Sequence, residues 1–166
     1  MTRLFGLAMV LGVWLSGCSD DKNYLYGSIS EEFEMNLDFD EVEIRKETDN
    51  FVIRYRKDYS VFRCHYSNKN TVMGVTIQRI PAEAELKTWL DVKGAIKFES
   101  YVLTMPPLTC DENSLEQQSF PEKLTTTEAS VIFNEVGQRS GESVEGQFRV
   151  RFGASTLNGG FQAKMQ

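Results

Sequence analysis

Few residues in this chain are of the type and spacing that do chemistry. The single histidine, His65, lies between Cys64 and Tyr66. A nucleophile–histidine–carboxylate relay would have to be built on it, and no Gly-x-Ser-x-Gly elbow accompanies it. His65 therefore reads as a strand residue. One histidine and scattered cysteines do not make a zinc spacing, and no glycine-rich phosphate loop is present. Nine carboxylates crowd the stretch from Glu31 to Asp49, opposed locally by Arg45 and Lys46. Calcium takes several carboxylate oxygens, but this run lacks the loop glycine of an EF-type site, so it reads as a solvated, salt-paired sheet face. Trp89 reads as core or edge cover, with a carbohydrate platform formed together with Tyr101 as the alternative. The expectation is no catalytic residue, no metal and no cofactor. A paired-carboxylate enzyme remains open, since such pairs are defined by distance in space rather than by sequence spacing.

The three cysteines divide by position. Cys18 follows Arg3, an apolar run from Leu4 to Leu15, and the small residues Ser16 and Gly17. A basic start, a short apolar core and a small-residue cleavage site make a secretory signal, and the run is shorter than the ~20 residues of a membrane span. Leu15-Ser16-Gly17-Cys18 resembles the lipobox of bacterial lipoproteins. The resemblance implies a diacylglyceryl group on the Cys18 thiol, cleavage before it, and acylation (palmitate or a similar chain) of the new amino terminus. In that family an aspartate directly after the cysteine marks inner-membrane retention. Ser19 stands there instead, which implies the outer membrane. An oxidising envelope compartment lets disulfides persist, so Cys64 and Cys110 are expected to form one bridge. It would close a loop of 47 residues counted from Cys64 through Cys110, worth ~4 kcal/mol of chain entropy. Two buried thiols are the alternative.

These readings divide the chain into a signal peptide (1–17), a lipidated tether (18–23) and one domain (24–166). Without the signal, 149 residues remain, and loss of Arg3 takes the net charge from −6 to −7. That acidity argues against nucleic acid, whose binding rests on neutralised phosphates, and against a polybasic grip on lipid. Membrane attachment would rest on the acyl chains.

The body is written in period two, the pattern of half-buried strands. Phe33, Met35, Leu37 and Phe39 alternate with polar residues, and Val42 and Ile44 continue on the other parity, which predicts a bulge or bend near Asp40-Glu41. A hairpin about Glu47–Asn50 pairs Ile44 with Ile53, Val42 with Tyr55, Glu43 with Arg54 and Glu41 with Arg56. A second hairpin turns at Gly153–Thr156 and sets Phe152 opposite Leu157, Phe148 opposite Phe161 and Val144 opposite Met165. Gly146 and Gly159 then leave room beside the large rings. Further strands are expected at Thr71–Ile80, at Ala95–Met105 (with Tyr101, Leu103 and Met105 on one face) and at Thr125–Val136. Residues 82–92 fit either a strand or a helix, with the strand preferred, and Pro106–Leu124 reads as a long loop. The sum is an all-β antiparallel sandwich of about seven to nine strands, with a partly open β-barrel as alternative.

The Gly-x-Phe-x-Val-x-Phe and Gly-Gly-Phe-x-Ala halves of the last hairpin look like the closing strands of small β-sandwich lipoproteins of Gram-negative bacteria. That likeness covers about twenty residues and carries no site. The expected function is a membrane-anchored envelope lipoprotein whose non-catalytic domain binds a partner or ligand, of undefined oligomeric state. The alternatives are an accessory subunit of an outer-membrane assembly and a small envelope enzyme. If Cys18 carries the anchor, Cys18→Ala abolishes incorporation of a fatty-acid probe and releases the protein from membranes. A labelled, membrane-bound Cys18→Ala protein would remove the anchor.

Overall fold

Alternating apolar residues force each strand to bury one face, and two sheets satisfy that need here. A computed structural model describes residues 22–30, 33–39, 41–61, 66–99, 103–105, 116–118 and 124–166. Cys18, His65, Tyr101 and the Cys64–Cys110 pairing lie outside the described residues. The strands are β1 (Tyr24–Ser30), β2 (Phe33–Asp38), β3 (Glu41–Glu47), β4 (Asn50–Val61), β5 (Tyr66–Ile77), β6 (Leu90–Asp91), β7 (Ile96–Glu99), β8 (Leu103–Met105), β9 (Glu116–Gln118), β10 (Glu128–Val136), β11 (Ser143–Phe152) and β12 (Ser155–Lys164). Nine of these have four residues or more, within the expected number.

One sheet has the order β2-β1-β12-β11-β10-β6, the other β3-β4-β5-β7, and all pairings in both are antiparallel; β8 and β9 pair apart from them. The result is a β-sandwich rather than a barrel. The two sheets meet at one corner, where Ile44 bridges Met165 and the Gln166 amide donates to the Ile44 carbonyl at 2.9 Å.

The first hairpin has the expected register, Ile44 with Ile53 and Val42 with Tyr55. On its charged face Glu43 stands opposite Arg54 and Glu41 opposite Arg56, also as expected, and Arg56 reaches diagonally to Glu43 at 2.5 Å. Of the bulge or bend expected near Asp40-Glu41, the structure has the second kind of break: the chain passes from β2 in one sheet to β3 in the other. The long strand read over Ala95–Met105 is two strands in different sheets, β7 and β8, and the loop read over Pro106–Leu124 contains β9. The strand preferred over 82–92 survives only at Leu90–Asp91, preceded by a 3-10 turn at Glu83–Glu85. Pro81 and the left-handed Lys87 (φ 62°) break the run on either side of that turn.

The C-terminal hairpin is in a different register from the one expected. Phe152 pairs with Ser155, Val150 with Leu157, Phe148 with Gly159, Gly146 with Phe161 and Val144 with Ala163. The turn is the two residues Gly153-Ala154, with Gly153 at φ 63°, the left-handed first position of a type II′ hairpin. A two-residue slip keeps every side chain on its own face, so alternation alone does not separate the two registers. Packing does. The Phe148 ring lies across Gly159 and the Phe161 ring across Gly146, in the space that a Cβ on either glycine would need.

Phe148 joins the two sheets directly, and Phe161 does so through Phe133. Phe148 meets Tyr55 at 6.4 Å and Phe98 at 6.1 Å, while Phe133 meets Phe51 at 5.6 Å and Phe161 at 5.7 Å. Edge-to-face contacts of this kind contribute ~0.5–1.5 kcal/mol each beyond area burial.

Phe148→Ala is expected to cost ~3–5 kcal/mol and Gly159→Ala ~1–3 kcal/mol through overpacking. The double variant should cost less than the two losses added, because the new methyl occupies part of the vacated ring space. Gln147→Ala, on the outer face, should stay within ~0.5 kcal/mol. Denaturant unfolding checks all four, and strict additivity of the pair would contradict this packing.

Candidate functional site

The outward residues of the six-stranded sheet form the candidate site. Strand pairing aligns Tyr26 with Asn158, Asn158 with Arg149, Arg149 with Ser130 and Ser130 with Asp91. Their chain neighbours Leu25, Leu157, Val150, Val131 and Leu90 are all buried, so alternation turns this row outward. It crosses five strands, about 19 Å at ~4.8 Å per step.

Trp89 stands beside the far end of the row. The Lys87 amide donates to the Phe133 carbonyl at 2.8 Å and the Val92 amide to the Ala129 carbonyl at 3.0 Å, fixing this segment along β10. Leu90 then points inward and Trp89 outward. Trp89 and Tyr26 are the exposed large hydrophobic residues of the described chain, at 48% and 58% exposure. Of the two expectations for Trp89, core or edge cover, burial in the core is corrected: the residue stands exposed beside the edge strand β6, and its aromatic companion on this face is Tyr26.

Two adjoining hollows follow the row, of about 850 and 420 Å³, and both are lined by Trp89, Arg149 and Asn158. The larger extends over Glu128, Arg151 and Thr156, the smaller over Tyr24 and Tyr26. Arg149 is held by its Nε, which donates to Asn158 Oδ1 at 3.0 Å. Among the described residues no carboxylate pairs with its terminal nitrogens. Arg151 lies 3.4 Å from both carboxylate oxygens of Glu128, and Asp91 accepts from the Lys93 amide at 2.9 Å. The groove thus presents three cations, Lys93, Arg149 and Arg151, against two carboxylates, in a chain of net charge −6. No grouping of histidine, cysteine and acidic side chains suited to a metal occurs among the described residues.

Behind the groove the sheet is pinned through its thickness. The Tyr24 ring lies against Gly160 on the outer side. On the inner side the Tyr55 hydroxyl donates to the Gly160 carbonyl at 2.9 Å. Burial pushes the Tyr55 phenol well above its usual range, and the nearby Tyr24 adds to the shift. Tyr24 is itself raised by burial, against the opposing pull of Arg149.

Sequence reasoning named Trp89 but not Tyr26, Arg149 or Asn158. These are separated by up to 132 residues and meet only through β1–β12 and β11–β12 pairing. Outward parity in the two C-terminal strands was the available signal, since it places Arg149, Arg151 and Asn158 on one face.

Tyr55→Phe should cost ~0.5–1.5 kcal/mol at neutral pH through the lost hydrogen bond. Because the folded-state pKa is raised, the tyrosine's contribution is full below the unfolded value of ~10 and declines as pH rises toward the folded value. The gap between wild type and Tyr55→Phe should therefore narrow above pH ~10, as chemical denaturation across pH would report. No family model, curated protein or solved structure matches the chain.

Proposed function

We propose that the protein is a lipid-anchored envelope lipoprotein whose β-sandwich binds a ligand, without catalysis, on the outer face of its six-stranded sheet. The observation that carries this reading is the row from Tyr26 to Asp91, with exposed aromatics at both ends and an uncompensated arginine between them. Binding sites combine apolar contact with a few placed polar groups in a concavity, and this groove does so. A flat apolar patch, the mark of a permanent subunit interface, would have favoured the accessory-subunit reading. The two groove carboxylates, Asp91 and Glu128, are open to solvent, whereas paired-carboxylate catalysis needs one withdrawn from it.

Anchoring is supported by the lipobox-like Leu15-Ser16-Gly17-Cys18, and the first described residues mark where such a tether would join the domain. Lys22 pairs with Glu145 at 2.8 Å and Asn23 Oδ1 accepts the Gln162 amide at 2.6 Å, tying the tether to the start of β11 and the end of β12. Arg149 and Arg151 lie four and six residues further along β11, roughly 13–20 Å away. These contacts would set Arg149 and Arg151 that far from the point where the tether joins the domain.

Hydroxyl-radical footprinting tests this reading. Trp89 and Tyr26 should be oxidised more slowly in native envelopes than in the detergent-purified protein. Equal oxidation rates in both settings would reject this face as the binding site.

A further inference from the structure

We infer, resting on the binding face proposed above, that its ligand is an acidic glycan, a chain of sugar rings bearing carboxylates, with Arg149 as the residue that selects the acid. The groove crosses the interior strands β1, β12, β11 and β10, whose backbone groups are already paired, and reaches a sheet edge only at the two-residue β6. A peptide that binds by adding a strand needs an unpaired edge, so recognition here falls to side chains. Those side chains differ in kind along the row: Tyr26, then an amide, a guanidinium, a hydroxyl and the Asp91 carboxylate, with Trp89 beside that last end. A pyranose chain has the complementary surface, with C–H faces that lie on aromatic rings and hydroxyl edges that bond to amides and hydroxyls.

Charge separates an acidic from a neutral chain. With Nε occupied by Asn158 Oδ1, Arg149 presents its two terminal nitrogens as a fixed planar fork. Such a fork matches a carboxylate in bidentate fashion. Lys93, in the same groove, is a second cation without a side-chain partner among the described residues. In a chain of net charge −6, a local excess of positive charge lined by aromatics marks a place for an anion with apolar faces. Nucleic acid also has that chemistry, but its binding rests on neutralising many successive phosphates, and the groove offers three cations, of which Arg151 already lies against Glu128.

The experiment is calorimetric titration of the detergent-purified full chain with oligogalacturonate, oligomannuronate and hyaluronan fragments, and with cellohexaose as the neutral counterpart. At least one acidic oligosaccharide should bind, and cellohexaose should bind at least tenfold more weakly. Arg149→Gln should weaken the acidic ligand by about tenfold or more, the loss expected for a charge-assisted hydrogen bond. Trp89→Ala and Tyr26→Ala should also weaken it, while Gln162→Ala leaves it unchanged. Binding of cellohexaose as tight as that of the acids, an unaffected Arg149→Gln, or no binding by any of the three acids overturns the inference. If none binds but Trp89 and Tyr26 are protected in envelopes, the face serves another ligand and only this inference falls. If neither result appears, the binding face falls with it.

Discussion

The structure depends on a steric exchange between two neighbouring strands. Phe148 and Phe161 are the large inward rings of β11 and β12, and each is set directly opposite a glycine of the other strand. A ring facing a ring at those positions would push the sheets apart. A ring facing glycine lies flat against the backbone and leaves its edge free to meet the second sheet. Tyr55, Phe98, Phe51 and Phe133 complete that aromatic layer. Close-packed interiors tolerate little change of volume, so this exchange sets both the hairpin register and the separation of the sheets.

Register on the inner face determines composition on the outer face. Because side chains alternate, pairing Phe148 with Gly159 necessarily pairs Arg149 with Asn158, whose side chains then form the 3.0 Å bond that orients the guanidinium. Slipping β12 by two residues would set Arg149 against Gly160, with no side chain to hold it. The Tyr24–Gly160–Tyr55 contact fixes β12 a second time, just beside the row. The groove is in this sense a consequence of the core, built from residues that contribute little to it.

How much of this was legible in the sequence varied with the range of the signal. The first hairpin was readable because two faces of opposite character, apolar and charged, had to agree at once. In the second hairpin both candidate registers kept Val144, Phe148, Val150 and Phe152 inward. The deciding fact, that a phenylalanine ring needs the space of a Cβ, is a contact rather than a pattern. The parity break near Asp40-Glu41 was visible as a bulge or bend, and which of the two it was, here a change of sheet, is not something one strand's alternation decides. Trp89 read as core or edge cover because a lone large apolar side chain is usually buried. Its exposure follows from Leu90 taking the inward position in β6, a strand of two residues that carries no periodicity of its own. Tyr26 could not be linked to Trp89 at all before the order of the six-stranded sheet was known.

The central claim is that the outer row binds while the inner layer merely holds it in place. Thermal unfolding of wild type and of a Trp89→Ala/Arg149→Gln variant, each measured purified and again in native envelopes, separates the two roles. A ligand bound to the folded state raises the melting temperature by mass action. The account predicts that the two proteins melt together when purified and that only wild type gains stability in the envelope. A variant that is already destabilised when purified, or one that gains as much as wild type in the envelope, would contradict it.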